Sequence, residues 1–212
     1  VFNPYNNTFA SYSILPEGIA NMTVTSIGNN KVIYAGGNNS TGVSKKVVKL
    51  DNSNFGAAID VGNLYSGRSQ HQAVLVNNEI FFIGGFSEFT NGQLKTPLAS
   101  IEKLILSNET IQKNQSSLTL ARGDFSAVLV DNNNIAIIGG KDNTGNGIDQ
   151  VEVLRHQNGS YSVFEPLPSK SDKKRYGQQA VLSDTGQVVI IGGRNIDNTV
   201  QEIECFNMPV TE

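Results

Sequence analysis

A run of four apolar residues followed by Gly-Gly occurs four times in this chain. The runs are Val32-Ile33-Tyr34-Ala35 before Gly36-Gly37, Ile80-Phe81-Phe82-Ile83 before Gly84-Gly85, Ile135-Ala136-Ile137-Ile138 before Gly139-Gly140, and Val188-Val189-Ile190-Ile191 before Gly192-Gly193. They recur at spacings of 48, 55 and 53 residues. A period of that length restricts the fold to an array of small units that bury their apolar faces against one another. Each run is rich in β-branched or aromatic residues, too short for a helix, and apolar at consecutive positions. That is the pattern of a strand covered on both faces of a sheet.

A second apolar segment precedes each run, at 22–26, 72–76, 127–130 and 179–182, and ends in Asn, Asp or Gly residues. These residue types tolerate the positive φ of tight turns, so each pair of segments reads as a β-hairpin. Third strands are expected at 46–50, 101–106, 151–154 and 202–206, and weaker fourth strands near 57–59, 116–120 and 161–164. Four short antiparallel strands in about 50 residues make one blade of a β-propeller.

The arginines and glycines of these units resemble the kelch repeat. Arg68, Arg122 and Arg175 stand 16, 17 and 17 residues before Gly84, Gly139 and Gly192, and residues 121–128 look like that family's approach to the first strand. The resemblance covers essentially the whole chain. It departs from the pattern at Ile19-Ala20, where no Arg stands, and in having no Trp; Phe9, Phe55, Ile111 and Tyr161 occupy the outer aromatic position or its neighbourhood. The expected fold is therefore all-β, a kelch-type propeller of four-stranded antiparallel blades. The chain reads as one domain, residues 1–212, comprising a partial blade end at 1–20, units at 21–66, 67–120 and 121–173, and a partial blade at 174–212. The four visible units either belong to a larger propeller, whose free strand edges invite self-association, or close upon themselves.

Composition narrows the function. A net charge of −3 lacks the positive excess that phosphate neutralisation demands, which argues against a nucleic-acid partner. No apolar run approaches the ~18 residues of a membrane helix, so no membrane span is expected. Cys205 is the sole cysteine and reads as a small buried residue; His71 and His156 fall on opposite faces of a propeller. No catalytic residue, metal or cofactor is assigned. The glycine pairs are followed by polar loops and another strand rather than a helix, which excludes a phosphate-cradling loop. The Ser-x-Asp-x-Gly-x-Thr turn of sialidases is absent, since Ser183-Asp184-Thr185-Gly186 has a different spacing.

The ligand-binding expectation rests on Arg68, Arg122 and Arg175, which hold one repeat position in three neighbouring units. Radial symmetry would gather them around the channel mouth, where guanidinium groups take carboxylates in bidentate fashion. Tyr176 and Phe125 would supply packing, and the long loop 86–99, with Phe86 and Phe89, a side wall. The resemblance implies a protein or acidic-peptide partner, because similarly placed arginines in kelch adaptor domains help to bind acidic peptides. The competing role for these arginines is hydrogen bonding to neighbouring backbone carbonyls at the blade entrance.

The expected function is a non-enzymatic protein-interaction scaffold in an extracellular or cell-surface setting. One alternative is a propeller that binds or acts on acidic glycans, for which Asp124 is the one carboxylate adjacent in sequence to these arginines; the other is a cytoplasmic kelch substrate receptor. Seven Asn-x-Ser/Thr sequons occur, about twice the number that 25 Asn and 31 Ser plus Thr in 212 residues give by chance. Asn6, Asn108 and Asn158 fall in the equivalent turn of three units and are the expected glycan acceptors. Protein from its native source should lose mass on treatment with an amidase specific for N-linked glycans, at one or more of these three positions. An unchanged mass would favour the cytoplasmic alternative.

Overall fold

The computed structural model describes residues 2–9, 15–51, 57–114, 116–157, 160–167, 174–195, 199–200 and 202–207, and their regular structure is all β. Strands β1 (Phe2–Asn3) and β2 (Thr8–Phe9) pair as a short hairpin. In the first blade, β3 (Thr23–Gly28) and β4 (Lys31–Ala35) are followed by a small hairpin, β5 (Asn38–Asn39) and β6 (Gly42–Val43). Then come β7 (Lys46–Asp51) and β8 (Ala57–Asn63), giving the antiparallel order β3-β4-β7-β8. The second blade has β9 (Gln72–Val76) and β10 (Glu79–Ile83), a hairpin of β11 (Phe86–Thr90) and β12 (Gln93–Pro97), then β13 (Ile101–Ile105) and β14 (Thr110–Lys113). The third is β15 (Ser126–Leu129), β16 (Asn134–Ile138), β17 (Val151–Gln157) and β18 (Ser160–Leu167). The fourth sheet has three strands, β19 (Gln179–Leu182), β20 (Gln187–Ile191) and β21 (Glu204–Asn207). No helix among the described residues is long and apolar enough to cross a membrane.

Strand pairing follows from the turn chemistry. Asn29-Asn30 and Asn77-Asn78 all have positive φ, between 47° and 65°, the conformation that lets a two-residue turn follow the twist of its flanking strands. In the third blade Asp131 accepts hydrogen bonds from the Asn133 and Asn134 N–H groups and closes the corresponding turn.

Successive blades stack through alternating faces. Ile33, Ala35 and Val47 of the first blade meet Ile80, Phe82 and Leu104 of the second. Phe81, Ile83 and Ile101 meet Ile135, Ile137 and Leu154 of the third, with Phe125 between them. Ala136, Ile138 and Val151 meet Val188 and Ile190 of the fourth. The double-sided apolar character of the central strands is thus used on both faces, each buried side chain contributing about 1.5–3 kcal/mol of transfer free energy.

The glycine pairs let the backbones crowd where these stacks converge. A Cβ on Gly36, Gly84 or Gly139 would lie 2.3, 2.7 and 2.7 Å from the carbonyl oxygens of Arg68, Arg122 and Arg175 respectively, each in the next blade. The second glycine stitches the same junction, since the N–H groups of Gly37, Gly85 and Gly140 donate to those three carbonyls at 2.8, 2.8 and 2.9 Å.

Three expectations change on folding. The outer strand of the second blade is β14 rather than 116–120, because Leu118 buries beside the blade junction and the Thr119 and Leu120 N–H groups turn to the Glu152 carboxylate. Residues 86–99 are a hairpin over most of their length, not a loop; Asn91 and Gly92 at its tip have φ of 52° and 74°. Cys205 is exposed rather than buried, because the outward face of the fourth blade is uncovered among the described residues. On that face Val181, Ile191 and Ile203 are 54, 48 and 63% exposed, whereas the matching Val128, Ile138 and Val151 of the third blade are at most 7% exposed.

Gly84→Ala should destabilise the chain by about 2–4 kcal/mol, through left-handed strain added to overpacking. Gly28→Ala, at φ 79° but with nothing within 4 Å of its added Cβ, should cost about 1–2 kcal/mol, from strain alone. Equal losses in chemical denaturation would show that the blade junction is not the tight point.

Candidate functional site

Four equivalent residues, one at the start of each blade, adopt positive φ: Asn21 (56°), Gln70 (50°), Asp124 (56°) and Gly177 (67°). Their backbones form a staircase between blades, with the Gly177 N–H donating to the Asp124 carbonyl at 2.8 Å, Asp124 to Gln70 at 2.9 Å and Gln70 to Asn21 at 3.0 Å. Asn, Asp and Gly accept this conformation readily and Gln does so at a cost, which the inter-blade hydrogen bonds offset. Asn21, Gln70 and Asp124 line both a large open cleft of about 1310 Å³ and a smaller cavity of about 370 Å³ beside His71, so they sit at the boundary between the two.

The cleft is walled on one side by the β11–β12 hairpin, where Phe89 pairs with Leu94 across the strands. Loop 141–148, Tyr176 and Arg194 also line it. The Lys141 ammonium stands 5.3 Å from the centre of the Tyr176 ring, a cation–π contact. Burial raises the Asp124 carboxyl above the usual carboxylate range, against the opposing pull of Lys141 and Arg194. Asp142 Oδ1 is engaged within its own loop, accepting from the Thr144 N–H and hydroxyl and from the Asn146 N–H.

Each of the last three blades also contains a buried arginine set. Arg68 Nη1 donates to the carbonyls of Gly84 at 2.7 Å and Ser100 at 3.1 Å, and Nη2 to Glu102 Oε1 at 2.6 Å. Arg122 repeats this with Gly139, Gln150 and Glu152, and Arg175 with Gly192, Glu202 and Glu204. Glu102 passes the link to the preceding blade by accepting from the Tyr65 and Ser66 N–H groups at 2.6 and 3.0 Å. Burial lowers the pKa of Arg68 and Arg122, and their glutamates work against that shift.

Among known proteins, a kelch repeat-containing protein of Dictyostelium discoideum is 31% identical over 136 residues, which cover 61% of this chain. The likeness is to a kelch-repeat protein, and the antiparallel four-stranded blades are consistent with it. No family model matches it, and the match spans 18% of that relative's length. The first blade departs from the repeat pattern at two linked positions. Ile19 stands where the others have Arg, and Val48 pairs with Tyr34 as Glu102 does with Phe82.

The repeated arginines do not form an open cluster at the mouth. Arg68, Arg122 and Arg175 have no exposed surface, and each points into its own blade because buried carbonyls and a carboxylate surround it there. The expectation that they bind acidic groups is therefore corrected, and the acidic-glycan alternative loses its arginine basis. Phe86 is likewise buried, wedged beside Gly123, and Phe125 packs between blades against Gly84. Tyr176 and Phe89 line the cleft, and Phe86, though buried, reaches its wall. The site residues that sequence reasoning missed as ligand groups are Asp124, Lys141 and Arg194; the last two directly follow glycine pairs, a placement that repeat alignment makes visible. Asn6 and Asn108 lie exposed in turns, and Asn158 falls outside the described residues.

Arg122→Ala should destabilise the fold by about 3–5 kcal/mol, because Glu152 would be left as an unpaired buried charge. The double variant Arg122→Ile with Glu152→Val, which copies the first blade, should lose clearly less than the sum of the two single losses. Thermal or chemical denaturation of the double-mutant cycle measures the coupling; additive losses would contradict it.

Proposed function

We propose that this chain is a non-enzymatic protein-interaction scaffold, secreted or at the cell surface, whose loop-side cleft takes a peptide segment of a partner protein. The observation that carries this reading is the cleft itself. At about 1310 Å³ it exceeds the roughly 300–1,000 Å³ of small-molecule pockets. Its lining combines apolar ground at Phe89, Leu94, Pro97 and Leu120 with polar groups at Gln70, Asp124, Lys141 and Arg194. Aromatic anchors beside charged donors, mounted on rigid strands, are the composition of protein-recognition surfaces. The kelch likeness supports a scaffold role, and the exposure of Asn6 and Asn108 supports the extracellular setting.

Selection of a random peptide library displayed on phage against the folded chain should enrich peptides that compete with one another for one site. Tyr176→Ala or Leu94→Glu should weaken their binding about tenfold or more, as loss of an anchor costs over about 1 kcal/mol. A selection that enriches nothing above background, or peptides indifferent to both substitutions, would remove the reading.

A further inference from the structure

The charges in the cleft are unequally engaged. Asp142 Oδ1 takes three hydrogen bonds from its own loop, while the Asp124 carboxylate makes no hydrogen bond or ion pair within 4 Å among the described residues. The position beside it is open, because Gly177 carries no side chain; a Cβ there would sit 3.5 Å from Asp124 Oδ2. Around this carboxylate the equivalent residues are amides. Asn21 uses its Nδ2 to donate to Asn38 at 2.8 Å, and Gln70 brings a second amide to the same boundary. The floor therefore combines one anion with two amides, whose oxygens can accept hydrogen bonds.

The surrounding wall has the opposite sign. Lys141 is held over the Tyr176 ring, and Arg194 is exposed. Neither is in an ion pair among the described residues, although both act electrostatically on Asp124. A partly desolvated carboxylate between two nearby cations is a poor seat for a purely acidic ligand, because any carboxylate that reached the floor would meet Asp124. It is also poor for a purely basic one, which the wall repels.

We propose that the cleft reads a basic residue next to an acidic one in a peptide, the Lys or Arg side chain descending to Asp124 and the neighbouring carboxylate held by Lys141 and Arg194. The proposal rests on the peptide-scaffold reading and specifies its ligand. The basic group takes the unbonded Asp124 carboxylate and the space over Gly177. The carboxylate takes charge-assisted hydrogen bonds from an ammonium and a guanidinium. An apolar residue beside the pair packs on Phe89 and Leu94, and like-charge contacts exclude peptides of one sign.

The test selects the same random phage-displayed peptide library in parallel on the wild-type chain, on Asp124→Asn and on Lys141→Gln with Arg194→Gln. Wild-type selection should enrich Lys or Arg adjacent to Asp or Glu. Such a peptide, synthesised and titrated, should bind Asp124→Asn at least about tenfold more weakly. The double lysine–arginine variant should lose the acidic preference and keep the basic one. Asn already occupies the equivalent left-handed position at residue 21, and removing a carboxylate whose ionisation burial disfavours should leave the melting temperature of Asp124→Asn unchanged or higher. Peptides that depend on Tyr176 but lack a basic residue, or that bind Asp124→Asn undiminished, would overturn this inference and leave the scaffold reading intact. No enrichment at all would overturn both.

Discussion

The backbone contact at the first three glycine pairs holds the array together. The first glycine lies against the carbonyl of the next blade's arginine, and the second donates its N–H to that same oxygen. Only a residue without a Cβ and with positive φ fits there, so the closest approach of neighbouring sheets is set by hydrogen-bonded main chain. Side-chain packing then follows, with the apolar faces brought to the distance at which Ile83 meets Ile137 and Ile138 meets Val188. At Gly192 no atom of the described residues lies within 4 Å of where a Cβ would stand, and the same blade exposes Ile191 and Cys205. The glycine contact and the apolar contact are present together or absent together.

The arginines extend this junction inward. A guanidinium in a buried blade centre would be costly alone, yet it donates to the carbonyls left open around the glycine pair and meets a glutamate from the third strand. The glutamate in turn captures N–H groups of the preceding blade's outer loop. One charged pair thereby connects three backbone segments in two blades. The first blade has neither member, and its Val48 is buried. Apolar residues fill the position once both charges are gone, which is the usual exchange for a buried ion pair.

This consumption of arginine determines where recognition can occur. Cations locked inside the blades offer nothing to solvent, so the accessible chemistry belongs to residues just outside the repeat's invariant geometry, namely Asp124 at the start of one blade and Lys141 and Arg194 just after the glycine pairs. The repeat places the three around one mouth, and their side-chain types differ from blade to blade. A symmetric scaffold thus presents an asymmetric site, bordered by a hairpin that the second blade carries between its glycine pair and third strand.

The amino-acid sequence by itself determined the blades. The spacing of the apolar runs and glycine pairs set the number of units, the Asn-rich turns set the hairpins, and continuous apolar character required cover on both faces. It also contained an unread sign of the 86–97 hairpin in Asn91-Gly92, and of the ion pairs in Glu102, Glu152 and Glu204 within otherwise apolar third strands. Tertiary structure alone decided which charges were open. An arginine reads the same in sequence whether its guanidinium faces water or three carbonyls, because its repeat position gives the place of Cα and not the direction of a long side chain. That direction depends on unmet backbone acceptors and on a carboxylate about 30 residues away in sequence, groups that come together only when the third strand closes on the second.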